Sequence, residues 1–140
     1  MKIQTFKPQN QKSVIQLWRV CGLVRPTNNP FRDIQRKLKV QRGLFLVAVE
    51  GGKIIGSVMG GYEGHRGWIN YLAVAPAHQK SGIGRKLMAE VEKKLRKLGC
   101  PKINLQVRKE NKKVRAFYER IGYSKDPVLS YGKRLVKDSI

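Results

Sequence analysis

At 140 residues the chain has the length of one domain and can bury a core, and its 41% hydrophobic content argues against disorder. Thirty Lys and Arg against nine Asp and Glu leave a net charge of +21, which attracts polyanions in a salt-dependent way without itself defining a function. The longest apolar runs are too short to span a bilayer, the first residues lack a secretory signal, and Cys21 and Cys100 lie far apart with no CxxC; the expectation is a cytoplasmic chain without a disulfide framework or a metal site.

A short strand is expected at 2–6, before the first helix. From Gln11 to Cys21 the apolar residues Val14, Ile15, Leu17, Trp18 and Cys21 recur at helical spacing. "RPTNNP" breaks that pattern, and Asn29-Pro30 suits the cap and first turn of a second helix, with Phe31, Ile34 and Leu38 inside. Two strands joined through Gly51-Gly52 form a hairpin, "LFLVAV" and "IIGSVMGGY". "RGWINYLAV" is the next strand, with Trp68, Asn70, Leu72 and Val74 on one face and Ile69, Tyr71 and Ala73 on the other. Pro76 ends it.

From Gly84 the period becomes helical, with Leu87, Met88, Val91, Leu95 and Leu98 on one side, and Gly99 and Pro101 mark the stop. "INLQV" at 103–107 reads as a strand. Asn111 opens a helix with Val114, Phe117, Tyr118 and Ile121 inside, and "PVLSYGKRL" as a last strand. Hairpins followed by a strand–helix–strand crossover predict an α/β chain with a mixed central sheet flanked by helices, in a single domain over residues 1–140.

The stretch "QKSGIG" at 79–84 lies where a strand gives way to a helix. A helix N-terminus leaves about four amides without partners and carries about half a positive charge. Glycines let the backbone approach a ligand closely. The combination is suited to a phosphate group, with Lys80 and Arg85 at its rim. The spacing is not that of a Walker A loop, and Leu87 breaks a GxGxxG dinucleotide fingerprint.

QxxGxG directly after "YLAVAP", with Asn111 and "AFYERIGY" at 116–123 following in order, resembles the N-acetyltransferases of the GNAT family. The element order matches over nearly the whole chain, and "RPTNNP", "MGGYEGHRG" and "GCPKI" are similar to a small bacterial YpeA-like branch. The resemblance implies an acyltransferase that takes its acetyl group from acetyl-CoA and passes it directly to a primary amine, with no covalent acyl-enzyme. It implies a cofactor site made of Leu72, Ala73 and Val74, of Gln79, Lys80, Ser81, Gly82, Ile83, Gly84 and Arg85, and of Asn111 and Tyr118.

Three tasks follow from that reaction: deprotonating the amine, stabilising the oxyanion and protonating the departing thiolate. The resemblance assigns the last to Tyr118, for which the ordinary values to compare are about 10 for a phenol and about 8.5 for a thiol; helical spacing alone places Tyr118 in a core stripe. The Leu72 N–H is the candidate oxyanion donor. Glu63 is the candidate base, with His65 close by, Tyr71 as a holder of a water chain, and a route through ordered water without any single base as the other reading. The acceptor is expected between Arg25, Asn28 and Asn29 on one side and the segment from Asp126 to Tyr131 on the other, with Glu63, Asp33 or Asp126 supplying negative charge. It is a small-molecule amine or a protein N-terminus or lysine; the enzyme is a monomer or homodimer. The competing classes are a basic nucleic-acid- or ribosome-associated binding protein and a CoA-binding regulator on the same scaffold.

Overall fold

The computed structural model describes residues 1–140. Five strands form one sheet in the order β1 (Lys2–Thr5), β2 (Phe45–Glu50), β3 (Lys53–Tyr62), β4 (Gly67–Val74) and β5 (Ile103–Asn104). The first four are antiparallel neighbours, and β4 and β5 run parallel. Helices α1 (Gln11–Val20) and α2 (Pro30–Lys37) cover one face, and α3 (Ile83–Lys97) with α4 (Lys112–Arg120) covers the other. The mixed sheet flanked by helices is the architecture expected from the sequence.

Each face of the sheet carries its own core. Trp18, Val14 and Ile34 bury against Phe45 and Val47 on the α1 side, while Leu87, Val91 and Leu95 bury against Leu46, Val58 and Ile69 on the α3 side. β2 supplies alternate residues to both cores, as period-two geometry requires. The Asn29 side chain caps α2 by accepting from the Arg32 amide at 3.2 Å, and Pro30 occupies the first turn. Phe31 departs from its expected inward position and is exposed, as is Leu98 at the end of α3. Lys37 takes an inner place instead: its aliphatic stem is buried and its ammonium donates to the Gly60 carbonyl.

Two strand assignments change. β5 stops at Asn104 rather than Val107, and residues 127–135 form no strand. A strand needs a neighbour to receive its backbone groups, and β5 is too short to offer one. The C-terminal segment instead crosses the surface as a strap with a carboxylate clip at each end, and between them the Gln106 side-chain amide donates to Ser130 Oγ. At one end Asp126 accepts from Lys102 Nζ at 3.0 Å and Asn104 Nδ2 at 2.7 Å; at the other Asp138 accepts from Arg36 at 2.8 and 2.9 Å. Between them Leu129, Tyr131 and Leu135 are exposed.

Both clip carboxyls are held below the usual carboxylate range, Asp138 chiefly by the Arg36 hydrogen bond and Asp126 chiefly by Lys102. A depressed folded-state pKa gives stability that is present above the unfolded value of about 3.9 and lost as pH falls through the folded one. The strap is therefore expected to detach in acid, its NMR resonances over 127–137 moving to random-coil positions below about pH 4 and before the core unfolds. Native strap resonances persisting until global unfolding would show that the clips do not hold it.

Candidate active site

β4 does not alternate as a regular strand should. Ser57 pairs with Ala73 and Met59 with Asn70, so Tyr71 and Leu72 together stand opposite Val58 alone. This is a β-bulge, and Tyr71 within it has φ of +52°, a left-handed conformation uncommon for a bulky side chain. The side chains record the shift. Ile69 packs with the α3-side core, and so do Leu72 and Val74, whereas Tyr71 and Ala73 join the α1-side core. The expected grouping of Ile69, Tyr71 and Ala73 on one face is corrected accordingly.

The backbone shifts with them. Gly67 N–H donates outward to the carbonyl of Lys102, just before β5, at 2.8 Å, while Ala75 N–H donates to Ile55 O on β3 at 2.8 Å. Eight residues apart, the two amides would point to the same edge in an unbroken strand. After the bulge, then, Ala73 and Ala75 face β3, and Leu72 and Val74 face the opposite edge. That edge is open, because β4 and β5 pair only at Gly67–Ile103 and Trp68–Asn104 before they diverge. Val74 O accepts from the Gln79 side chain at 3.0 Å and the Cys21 thiol at 3.3 Å rather than from a strand.

The open edge leads into the glycine turn. Lys80 and Gly82 both lie in the left-handed region, at φ of +64° and +86°, and Ser81 Oγ donates to His78 O. Gly82 is the N-cap of α3, with no side-chain cap. The amides of Lys80, Ser81, Gly82, Ile83, Gly84 and Arg85 find no acceptor in the protein; the first bonded amide of the helix is Lys86, to Gly82 O at 3.0 Å. Six consecutive free N–H groups at the start of a 15-residue helix, with the exposed Lys80 and Arg85 beside them, form a strong anion cradle. Gly84 has a different reason for lacking a side chain: a Cβ there would stand 3.2 Å from the Phe117 ring and 3.7 Å from Val74. The turn is thus packed directly on α4 and on the end of β4.

On α4, Asn111 Oδ1 caps the helix from the Val114 amide at 3.3 Å. Tyr118 is buried in the α3-side core, edge-on to Phe117 and Tyr123, whose hydroxyl donates to Glu92 on α3 at 2.6 Å. The Tyr118 hydroxyl makes no hydrogen bond within the protein, and burial pushes its pKa up to about 12. Against a thiol near 8.5 it is the weaker acid, so full proton transfer to a thiolate runs uphill. What it offers is an O–H that keeps its proton in the neutral range and is available as a hydrogen-bond donor.

The remaining candidates divide into two places. Asn28 Nδ2 donates to Tyr71 OH at 2.6 Å, Tyr71 OH donates to Asp33 Oδ2 at 2.5 Å, and Arg25 N–H donates to Asn28 Oδ1 at 2.7 Å. Tyr71, Asn28, Arg25 and Asp33 therefore form one polar cluster beside the bulge, while Asn29 serves α2 and donates to Ser139 O at 3.4 Å. Burial, then the bond to Asp33, raises the Tyr71 pKa.

Glu63 is elsewhere. It lies in the turn after Tyr62, which pairs with Gly67, five residues and about 16 Å of strand before Leu72. Its carboxylate accepts from the His65 and Arg66 amides, with its pKa lowered chiefly by the latter. Asp126 sits at that same end beside Asn104. The structure does not bring Glu63 or Asp126 to Leu72. Sequence reasoning also passed over Ser57 and the contact roles of Trp18 and Phe117; the available signal was Ser57 itself, a lone serine inside the apolar run of β3.

No helix is long and apolar enough to cross a membrane. The profile described as the acetyltransferase (GNAT) family matches residues 11–123. An acetyltransferase of Sodalis glossinidius (strain morsitans) is 48% identical over 139 residues, covering 99% of this chain and 98% of that protein. Among solved structures, Ard1 from Thermoplasma volcanium superposes with a TM-score of 0.80 at 20% identity, over 88% of this chain and 82% of that one. AAC(6')-Iy in complex with the bisubstrate analogue CoA-S-monomethyl-acetylneamine gives 0.78 at 17% identity, over 95% and 97%. With its splayed β4 edge, its amide-lined turn and this match over most of its length, the chain belongs to the acetyltransferase (GNAT) family and is an acyltransferase.

Proposed function

We propose that the chain moves the acetyl group of acetyl-CoA directly onto a primary amine of a small molecule, or of a protein N-terminus or lysine. The observation that carries the reading is the run of six unpaired amides from Lys80 to Arg85, continuous with the open edge of β4. The residues fit the cofactor. Backbone N–H groups and the α3 dipole suit a pyrophosphate, and the free edge at Leu72 and Val74 suits the amides of a pantetheine arm. Gly84 leaves the turn low enough to pack on Phe117, and Asn111 keeps its amide nitrogen unpaired next to the same helix.

When bound, acetyl-CoA supplies a thioester carbonyl and a thiolate leaving group. The Leu72 N–H on the open edge donates to the carbonyl oxygen as negative charge develops there. Tyr118 would donate a hydrogen bond to the sulfur, and water would supply the proton to the departing thiolate. With Glu63 at the far end of β4, the proton of the amine leaves through water, and the Tyr71 hydroxyl, fixed by Asn28 and Asp33, is the polar group on the acceptor side of the bulge. A binding protein without cofactor draws support only from the net charge and gives the free amides no purpose.

Heating the protein with and without acetyl-CoA tests the reading. At a hundred times Kd the cofactor adds about 2.7 kcal/mol, on the order of 10 °C in Tm for a chain of this size. Release of CoA thiol across a panel of amines then identifies the acceptor. No saturable shift with either acetyl-CoA or CoA, combined with tight salt-sensitive RNA binding, would sink the proposal in favour of the binding protein.

A further inference from the structure

We infer that Ser57 and Trp18 are positioning residues for the Leu72 amide, through a buried hydrogen-bond chain that fixes the peptide plane between Tyr71 and Leu72. The inference rests on the reading that Leu72 N–H serves the acetyl oxygen. Ser57 Oγ donates to the Tyr71 carbonyl at 2.8 Å, and Trp18 Nε1 donates to Ser57 Oγ at 2.9 Å. The polarity of this chain is forced. An indole nitrogen can only donate, so Ser57 accepts from it and spends its single hydroxyl proton on Tyr71 O. Both side chains are fully buried, so water does not compete for these bonds.

In a planar trans peptide the carbonyl and the following N–H point in opposite directions. Holding Tyr71 O on the β3 side therefore aims Leu72 N–H at the open edge. In an unbroken ladder a backbone amide of β3 would do this, but Val58 faces two residues at once. The serine hydroxyl stands in for the missing strand donor. Trp18 contributes a second hold: its ring stacks on Tyr71 with centroids 3.7 Å apart and planes within 12°. Asn28 and Asp33 supply a third through the phenol. Together they keep a tyrosine at φ of +52°, a conformation that persists only where its surroundings enforce it.

Ser57→Ala removes the carbonyl donor, and Trp18→Phe keeps an aromatic stack while removing the indole N–H. Turnover is read as acetyl-CoA hydrolysis without added amine and as CoA release with the best amine of the panel. Each variant is expected to lose about tenfold in kcat while KM for acetyl-CoA stays within about twofold, since the site is misaimed rather than emptied. The double variant is expected to be no slower than Ser57→Ala, because both act on one peptide plane, and Ser57→Thr to recover turnover. A folded Ser57→Ala with wild-type kcat, or losses that simply add, would overturn the inference.

Should a variant not fold, the wild-type protein alone decides, from the amide spectrum on adding acetyl-oxa(dethia)-CoA, the oxygen-ester analogue. A downfield shift of the Leu72 amide together with the turn amides supports the chain. Shifts confined to Lys80–Arg85 overturn it and leave cofactor binding intact. No shift at either place means that the cofactor reading itself fails.

Discussion

Tyr118→Phe is expected to lower kcat for acetyl transfer about a hundredfold, with KM for acetyl-CoA near wild type and Tm unchanged or slightly raised. The stability expectation follows from the environment of the hydroxyl. The residue is buried, but its hydroxyl makes no bond within the protein and is open to solvent, so its removal breaks nothing, while the ring keeps its edge contacts with Phe117 and Tyr123. The kinetic expectation follows from what the hydroxyl is left to do. With a pKa of about 12 it stays protonated at any working pH, and a preset donor in a desolvated site stabilises developing negative charge more than water does. Acetyl-transfer kinetics beside a melting curve check both halves. Unchanged kcat in a folded Tyr118→Phe protein would leave this residue as core and nothing more.

Gly84→Val should weaken acetyl-CoA binding at least tenfold and destabilise the protein by about 1–3 kcal/mol, as overpacking does. A Cβ at this position already meets the Phe117 ring at 3.2 Å, and the valine methyls extend further toward Phe117 and Val74. Either the turn lifts away from the sheet edge, separating the amide cradle from β4, or α4 yields and carries Tyr118 with it. Gly82→Ala is the contrasting change. Nothing lies within 4 Å of a Cβ there, and its cost is confined to holding φ of +86°, on the order of 1 kcal/mol. Calorimetric titration with acetyl-CoA separates them. Equal Kd values for Gly84→Val and wild type would mean that the contact with Phe117 does not govern the cradle.

Much of this site was legible because it is local. A glycine turn between strand and helix, a proline that ends the strand and an Asn that opens α4 each declare their geometry over a few residues. The helices were legible from the period of their apolar residues, down to Val14, Ile15, Leu17 and Trp18 on one face of α1. What was hidden depends on partners distant in the chain. Residues 127–135 have strand composition, but β5 ends at Asn104 and gives them no ladder to join. Glu63 is near Leu72 in sequence, yet an extended strand carries it about 16 Å away. The bulge was invisible for a further reason: "WINYLAV" alternates acceptably in either register, and nothing in a tyrosine announces a positive φ. The groups that hold that conformation, Ser57 on β3, Trp18 on α1, and Asn28 and Asp33, are all distant from it in sequence.

The bulge also makes the two classes of mutation unequal. Between the pairs Tyr62–Gly67 and Gly56–Val74, β4 uses eight residues where β3 uses seven. The turned peptide between Tyr71 and Leu72 is thus the product of one supernumerary residue, and its backbone groups survive most exchanges of side chain. A single-residue deletion between Asn70 and Ala73 would bring the strands back into step with Val74 still facing outward, and would abolish the turned peptide whose carbonyl Ser57 holds. The site is tolerant of spelling and intolerant of length.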